Sequence, residues 1–569
     1  MGTAFLLWLD GSPTRYRTAA WVIFSMASLA AIGAAIPARR WSWWRHPAVF
    51  LTLAFLAILA FRWPILADNR RYLDPDESQI MSGALTLAHD ARFWLSVDGS
   101  NHGLLDELPL LIPRAIGVRV DYTSARFMSS GFAWIGVLCA TLIFRRLFGP
   151  GRGALLALPL LAVNAFTDCF DFVQYGAEHS PDALVAGASW LLLTAWNSTG
   201  RNASSRRLFL AGLALGAAPF AKLQVVPLVA WIALWGYWSL ATEADARGRV
   251  RRRNAVLFTS GIAAFPALMA AGILALGLWD DFWRAHIADN IGSSGGRWFT
   301  WAQTPAKFIE LCGYPGGFGA YLYWMAGVSA AGLFALPVFE RWQRRCALFA
   351  LGLTLAAACA AMAPGRMHMH YLQLLIFPAG LLAGIVAGAG MDALTGRPAS
   401  LPRVVRVVVP AAILVFLVVG LAPQVAWRAA SGQPALGRFT RTRGQLEVSP
   451  VAREILRHAR PGQTLGIWGW MPGFWIETGL TQATRDGNDA RQIDDTPARP
   501  YYRARFMGDL RRATPPVFID AVGGENYSYT IRAASGHETF PELADYLSRH
   551  YRQVADTDGT RIYVRNGIP

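Results

Sequence analysis

The sequence predicts a polytopic α-helical membrane protein of about 11–13 transmembrane helices, followed by a small C-terminal α/β domain. Three observations carry that reading. Hydrophobic residues make up 54% of the 569-residue chain, charged residues only 16%, and the mean hydropathy is +0.29; an ordinary soluble chain carries roughly 25% charged residues. Apolar runs of about 17–22 residues recur, the length a helix needs to cross roughly 30 Å of hydrocarbon. After position 422 the apolar runs become short (TLGIWGW, PPVFIDAV, TRIYV) and alternate with polar, helix-like stretches such as FPELADYLSRHY, which is the pattern of a small mixed domain.

Spans are expected near 19–37, 47–66, 123–144, 153–168, 180–197, 207–221, 223–240, 255–277, 319–338, 347–363, 371–390 and 405–422. The stretch 207–240 contains Lys222 and Pro227 and reads as two helices meeting at the outer face. Arginine sets the orientation. One set of loops holds Arg39, Arg40 and Arg45, then Arg145, Arg146 and Arg152, then Arg251, Arg252 and Arg253, then Arg341, Arg344 and Arg345; these belong in the cytoplasm. The formal charge of +16 is therefore a topological signal and not a nucleic-acid footprint. The opposite loops, 67–122, 169–179, 278–318 and 363–370, are longer and more acidic and face outward, as does the domain 423–569. The transmembrane domain is thus 1–422. The first span places the N-terminus outside despite Arg15 and Arg17, which predicts a peripheral or re-entrant helix there. None of the five cysteines forms a CxxC pair, which argues against a zinc-ribbon or redox motif; free thiols are expected, with a Cys169–Cys312 pair near the outer loops as the alternative. No period of repeats is visible, which excludes solenoids and propellers.

The chemistry is expected at the outer face. RYLDPDESQIM, 71–81, places Asp74, Asp76 and Glu77 within four positions just after a span. Pro75 suits a first helical turn, so a helix should begin there and run along the membrane surface, with Asp76 and Glu77 in its first turn. Acids in that position favour the helix dipole by about 0.3–1 kcal/mol, which accounts for one of them better than for three. TDCFDFVQYGAEHSPDAL, 167–184, crowds Asp168, Asp171, Glu178, His179 and Asp182 at the ends of two spans. Asp182 also reads as a helix-opening residue. No ligand spacing recommends a metal, and a divalent ion on these acids stays an open alternative. The chain has only two lysines, Lys222 and Lys307. Lys222 lies between two apolar half-spans, where a charge costs about 2.5–3.5 kcal/mol unless it snorkels or pairs; it reaches the interface or binds an anion. PGRMHMHYLQLLIFP, 364–378, gathers Arg366, His368, His370, Tyr371 and Gln373 at the outer end of another span, basic and polar groups that suit a phosphate head group. Residues 286–308, with Gly295, Gly296, Trp298 and Trp301, read as a mobile outer loop whose tryptophans rest on the membrane.

In order and sidedness these stretches resemble bacterial GT-C glycosyltransferases of the protein-mannosyltransferase and aminoarabinose-transferase type. The acidic pair Asp76-Glu77 after an early span, SPDAL at 180–184, GLALGAAPFAKLQ at 212–224, HYLQLLIFP at 370–378 and WGWMPGFWIETGLTQATR at 468–485 carry the resemblance, which extends over about 47–560. The resemblance implies a sugar donor carried on a polyprenyl phosphate, a periplasmic acceptor (lipid, polysaccharide or protein), an inverting transfer, and residence in the bacterial inner membrane. By match to the family pair, Asp76 is expected as general base with Glu77 orienting it. Lys222, Arg366, His370 and Tyr371 are expected at the donor phosphate, and Glu178, His179 and Asp182 as acceptor-side or secondary acidic residues. Membrane lipids are expected partners and nucleic acid is not. The rival reading is a transporter or flippase for a lipid-linked or sugar substrate. Transporters place ionisable groups near the midplane, often with internal repeats, whereas these acids gather at one face. A glycoside hydrolase would need two carboxylates at a set separation, which a sequence does not measure.

Overall fold

The computed structural model describes residues 12–35, 46–69, 74–195, 204–242, 248–292, 297–336, 339–395, 408, 415, 419–430 and 445–568. The membrane part runs through α1 (Pro13–Ala35), α2 (Pro47–Leu66), α3 (Pro75–Leu87), α4 (Tyr122–Phe148), α5 (Arg152–Phe166), α6 (His179–Leu193), α7 (Ser205–Ala217), α8 (Val226–Ala241), α9 (Gly248–Ala275), α10 (Phe318–Ala335), α11 (Arg341–Met362), α12 (Gln373–Thr395) and α13 (Leu421–Ala430). Seven helices among the described residues are long and apolar enough to cross a membrane: α1, α2, α4, α8, α9, α11 and α12. Shorter helices fill most of the other expected positions. α7 has 13 residues, about 20 Å at the helical rise. The expected span 405–422 lies mostly outside the described residues. The protein is a multi-pass membrane protein.

Two helices bear on the sequence expectations. α1, expected as peripheral or re-entrant, is long and apolar enough to cross a membrane and packs on α2 and α5. Its buried stripe of Ala20, Phe24, Ala27 and Ala31 allows that close approach, and the ring of Phe24 meets Phe166 at 4.6 Å. α3 is not an exposed surface helix. Ile80, Met81 and Ala84 are completely buried, because α3 is held between the bundle and the C-terminal domain.

That domain contains α14 (Pro450–His458), β1 (Thr464–Trp468), α15 (Gly473–Thr478), β2 (Thr481–Gln482), α16 (Arg499–Ala513), β3 (Val517–Asp520), α17 (Pro541–His550), β4 (Tyr551–Thr557) and β5 (Thr560–Arg565). The strand order is β2-β1-β3-β5-β4. β1 is parallel to β2 and β3, while β5 is antiparallel to β3 and β4. The three strands expected from the sequence are present; β2 and β4 are additional. The bundle extends past the expected boundary at 422, because α13 packs on it, with the Gln424 amide donating to the Gly317 carbonyl at 3.0 Å.

The two parts grip α3 from opposite sides. On the bundle side, Arg126 of α4 donates from Nε and Nη2 to the two oxygens of Glu77, at 2.8 and 2.7 Å. Its Nη1 donates to the carbonyls of Ile65 and Asp68 at the end of α2, at 3.0 and 2.6 Å. The Tyr175 N–H reaches the same Glu77 carboxylate at 3.2 Å. On the other side the Asn488 amide donates to Gln79 at 2.8 Å, and the Gln482 side chain to Ser82 at 2.8 Å. Beyond α3, Asp98 of the outer loop is held by Arg491 at 3.0 Å and Arg505 at 2.7 Å, while Asp281 meets Arg485 at 3.1 Å.

Breaking one partner of a fully buried ion pair costs about 3–5 kcal/mol, whereas replacing both partners by apolar groups costs much less. Arg126→Met is therefore expected to lower the thermal unfolding midpoint of detergent-solubilised protein sharply, and Glu77→Met/Arg126→Met to recover part of the loss. An unchanged midpoint in Arg126→Met would show that the pair does not hold the loops together.

Candidate active site

Five chain segments meet at the helix ends beneath the C-terminal domain. The first is the start of α3. Pro75 sits at its first position, and the Asp74 side chain caps it by accepting from the Asp76 N–H at 2.9 Å. Asp76 and Glu77 occupy the first turn as expected, but their side chains differ in kind. Glu77 is fully buried and saturated by Arg126 and Tyr175. Asp76 is half-buried, and no hydrogen bond or ion pair holds its carboxylate among the described residues.

The second segment, 168–178, supplies Asp171 and Glu178. The third is the turn between α7 and α8, where Pro219 and two tight helical turns present Lys222. Lys222 is 5% exposed and forms an ion pair with Glu178. Burial alone would discharge both groups; each charge instead holds the other, so Glu178 drops to about 2 and Lys222 stays charged. The fourth segment is 365–372. The His370 ring lies 3.8 Å from Glu178 and 3.9 Å from Asp171. Tyr371 turns its ring toward the Lys222 ammonium, 5.3 Å from the centroid, a favourable cation–π distance. His368 stacks on His370 with centroids 5.2 Å apart. Burial, then the charges of His370 and Arg366, push its pKa down to about 3, so His368 is a neutral imidazole. The fifth segment is the short helix Leu104–Glu107. Gly103 lies so close to the Lys222 turn that a Cβ there would come within 2.0 Å of the Phe220 carbonyl, which makes glycine obligatory at that contact. Asp106 next to it is raised well above the ordinary carboxylate range by burial and by Glu107.

Thus Asp76, Glu178, Lys222, Arg366, His370 and Tyr371 come together in one charged centre. Asp76 and Arg366 are near enough for their charges to act on Lys222 and Tyr371 respectively. Glu77 supports this centre from behind. His179 and Asp182 stand beside it, with Asp182 near enough for the charges of Glu178 and Lys222 to act on it. They lie up to one turn deeper along α6 and line a small cavity with Arg62, Asn164 and Gln373. The His179 Nε2 is within 3.1 Å of the Ser129 hydroxyl and 2.9 Å of the Gln174 carbonyl, a packed histidine. Arg62, buried in α2, donates to the Asn164 carbonyl at 2.7 Å. Sequence reasoning passed over Arg62 and Arg126, although an arginine inside or at the rim of an apolar run is itself a signal. It also set aside Asp74 and Asp171, which the fold brings to the centre.

Asp74 is the titrating member. Burial, then the charge of Asp76, raises it from 3.8 to about 7. The expected tryptophan loop is present in part: Trp298 and Trp301 are exposed, and Trp298 packs on His368 at 5.0 Å, while Gly295 and Gly296 lie outside the described residues. All five cysteines are free thiols. One group of described residues has the proximity for a metal ion, Asp520, His537 and Glu538. It fits a cation poorly, because Arg532 already donates to Asp520 at 2.7 Å and Arg561 pairs with Glu538.

No protein-family model matches the sequence, and no curated protein matches it. Solved structures do match in fold. The chain is similar to ArnT from Cupriavidus metallidurans bound to undecaprenyl phosphate, at 15% identity and a TM-score of 0.55, over 91% of this chain and 98% of that one. The apo form of the same protein matches at 14% identity and a TM-score of 0.52, with the same coverage. The chain has the GT-C glycosyltransferase fold. That agrees with the fold expected from the sequence motifs, and the likeness in fold covers nearly the whole length.

The raised Asp74 has a defined sign. A carboxyl that titrates at about 7 in the fold and at 3.8 when unfolded favours the folded state while neutral. Its contribution is lost as pH rises from near 4 through 7. Asp74→Asn keeps the helix cap and removes the charge. The wild type is expected to lose thermal stability relative to Asp74→Asn between pH 4 and pH 8, read by unfolding midpoints across that range. Parallel curves would rule the titration out.

Proposed function

We propose that the protein is an integral-membrane glycosyltransferase that moves a sugar from a polyprenyl-phosphate donor to a periplasmic acceptor, in the inner membrane of a bacterium. One observation carries this reading. A carboxylate with no hydrogen-bond or ion-pair partner among the described residues, Asp76, stands at the helix ends close enough to the buried cation Lys222 for their charges to interact. Inverting transfer needs that pair of groups. The acceptor hydroxyl attacks the anomeric carbon, its proton passes to the Asp76 carboxylate, and the bond from the anomeric carbon to the phosphate oxygen breaks. The departing lipid phosphate gains charge, and fixed cations stabilise it.

Lys222 carries three N–H donors. One is used by Glu178, which leaves donors for phosphate, with Arg366 and the His370 and Tyr371 side chains flanking. Glu178 holds the ammonium charged and aimed before the donor arrives. An apolar groove between two membrane-length helices supports the lipid assignment. It is lined by Pro227, Trp231 and Leu234 of α8 and by Leu348, Gly352 and Leu355 of α11. α8 begins four residues after Lys222, and α11 ends four residues before Arg366. The two helices that line the groove thus reach toward the cationic centre, and the groove suits a polyprenyl tail. A protein of the same fold, ArnT, is seen with undecaprenyl phosphate. No metal is needed to balance this reaction, and the phosphate-side cations belong to the chain itself.

The test is sugar transfer by purified protein in lipid nanodiscs, offered a panel of polyprenyl-phosphate sugars and a membrane extract as acceptor. A positioned base contributes about 10²–10⁴-fold, so Asp76→Asn is expected to lose about 10²-fold or more in kcat with donor binding retained. Lys222→Met is expected to lose donor binding instead. Unchanged transfer by Asp76→Asn would overturn the base assignment, and sugar or lipid movement without transfer would overturn the enzyme reading.

A further inference from the structure

The C-terminal domain forms one wall of the candidate site, and two aromatic side chains stand on it. Trp470 lies in the turn between β1 and α15, and α15 packs directly on α3. Tyr527 lies in the loop that follows β3. Their rings meet edge to face, with centroids 5.6 Å apart and planes at 88°. Tyr527 is 62% exposed, although its loop is held firmly. The Asn526 amide donates to the Ala521 carbonyl at 3.0 Å and its oxygen accepts from the N–H groups of Ser528 and Tyr529 at 2.9 and 2.7 Å. The turn that carries Trp470 is braced against the same residue. Gly469 has φ +98°, and a Cβ there would meet the Asn526 amide nitrogen at 3.1 Å. The two loops therefore present their rings together.

Two features distinguish this wall from an ordinary exposed patch. The indole Nε1–H of Trp470 is buried and has no hydrogen-bond partner among the described residues, and a buried donor left unpaired costs about 1–3 kcal/mol. The Tyr527 hydroxyl also lies near the acids of the site. Burial, then the charges of Asp74, Asp76 and Asp171, raise its pKa.

We infer that Trp470 and Tyr527 form an acceptor platform, and that the group seated on it is a sugar ring. A pyranose has one face of C–H groups, which packs on an aromatic ring, and an edge of hydroxyls. The wall offers that combination: an aromatic face, one unused N–H donor, and carboxylates beyond it. A purely apolar ligand would leave the indole N–H unpaired and the acids unaddressed. The inference rests on the glycosyltransferase reading, in which a hydroxyl of the seated ring is the nucleophile that Asp76 deprotonates. It also assigns a purpose to the clamp of arginines on Asp98 and Asp281: that clamp holds the platform over α3.

The experiment is saturation-transfer difference NMR on the full chain in lipid nanodiscs, without donor, using methyl hexopyranosides of different configuration as probes and a hydrophilic serine-containing peptide alongside. The C–H protons on one ring face of at least one glycoside are expected to receive saturation. Tyr527→Ala should cut that signal about tenfold, the size of one lost aromatic contact, and Tyr527→Trp should keep it. Trp470→Phe keeps the ring, removes the donor, and should weaken the signal less than Tyr527→Ala does. No saturation of any glycoside, equal saturation in Tyr527→Ala, or saturation of the peptide alone would overturn the platform. The assay contains no donor and reads no transfer, so its failure leaves the Asp76 result standing. Failure of the Asp76 test likewise leaves glycoside binding at the platform to be read by itself.

Discussion

The bidentate ion pair between Glu77 and Arg126 is the constraint on which the site depends. A charge buried at the rim of a helix bundle is costly unless every polar atom is engaged. Here Arg126 satisfies Glu77 with two nitrogens and spends the third on the last carbonyls of α2. Tyr175 adds a backbone N–H to the same carboxylate. Four separate stretches of chain thereby share one network: the end of α2, the start of α3, the start of α4 and the loop before α6. Once Glu77 is placed, the preceding turn of α3 has little freedom, and Asp74 and Asp76 project from it at a set height.

The remaining charges fall into two groups around that point. Lys222, Glu178, His370 and Asp171 form a compact set in which anions and cations nearly balance, so the buried lysine stays charged without a ligand. Asp74 and Asp76 form a second set with an excess of negative charge, relieved by proton uptake on Asp74. A centre with a preorganised cation on one side and a proton-accepting carboxylate on the other is suited to displacement at a carbon bearing a phosphate leaving group, because both charges that develop are met by groups already in position. The C-terminal domain completes the enclosure. Its arginines on Asp98 and Asp281 and its amides on Gln79 and Ser82 hold it against α3, and it contributes aromatic rings where the membrane helices contribute charges.

Much of this was legible in the linear chain. The start of α3 at Pro75 follows from proline's fixed φ, and the meeting of α7 and α8 at Lys222 follows from a lysine and prolines interrupting apolar runs. The clustering of Arg366, His370 and Tyr371 at a helix end was visible for the same reason. What was not legible was the direction of each side chain. Asp76 and Glu77 are neighbours of the same charge in the same helical turn, yet a helix turns 100° per residue, so one faces the site and the other faces Arg126, forty-nine positions away. His179 and Asp182 appeared equivalent to Glu178 in the sequence. Helix α6 carries them deeper, toward Arg62 and Gln373. The burial of α3 was not legible because its polar face, Gln79, Ser82 and Thr86, suggests solvent, whereas that face is the one the C-terminal domain binds.

By itself, the sequence determined the membrane character, the helix starts and the presence of a mixed C-terminal domain. Those properties are local: they follow from runs of apolar residues, prolines and capping groups within a few positions of one another. Only the tertiary structure decided which acid is held by an arginine and which turns to the site, which cation is buried beside the candidate base, and which face of the C-terminal domain closes the site. These properties depend on contacts between residues tens to hundreds of positions apart, and the energy of a charge is set by what is packed around it, not by its neighbours in the chain.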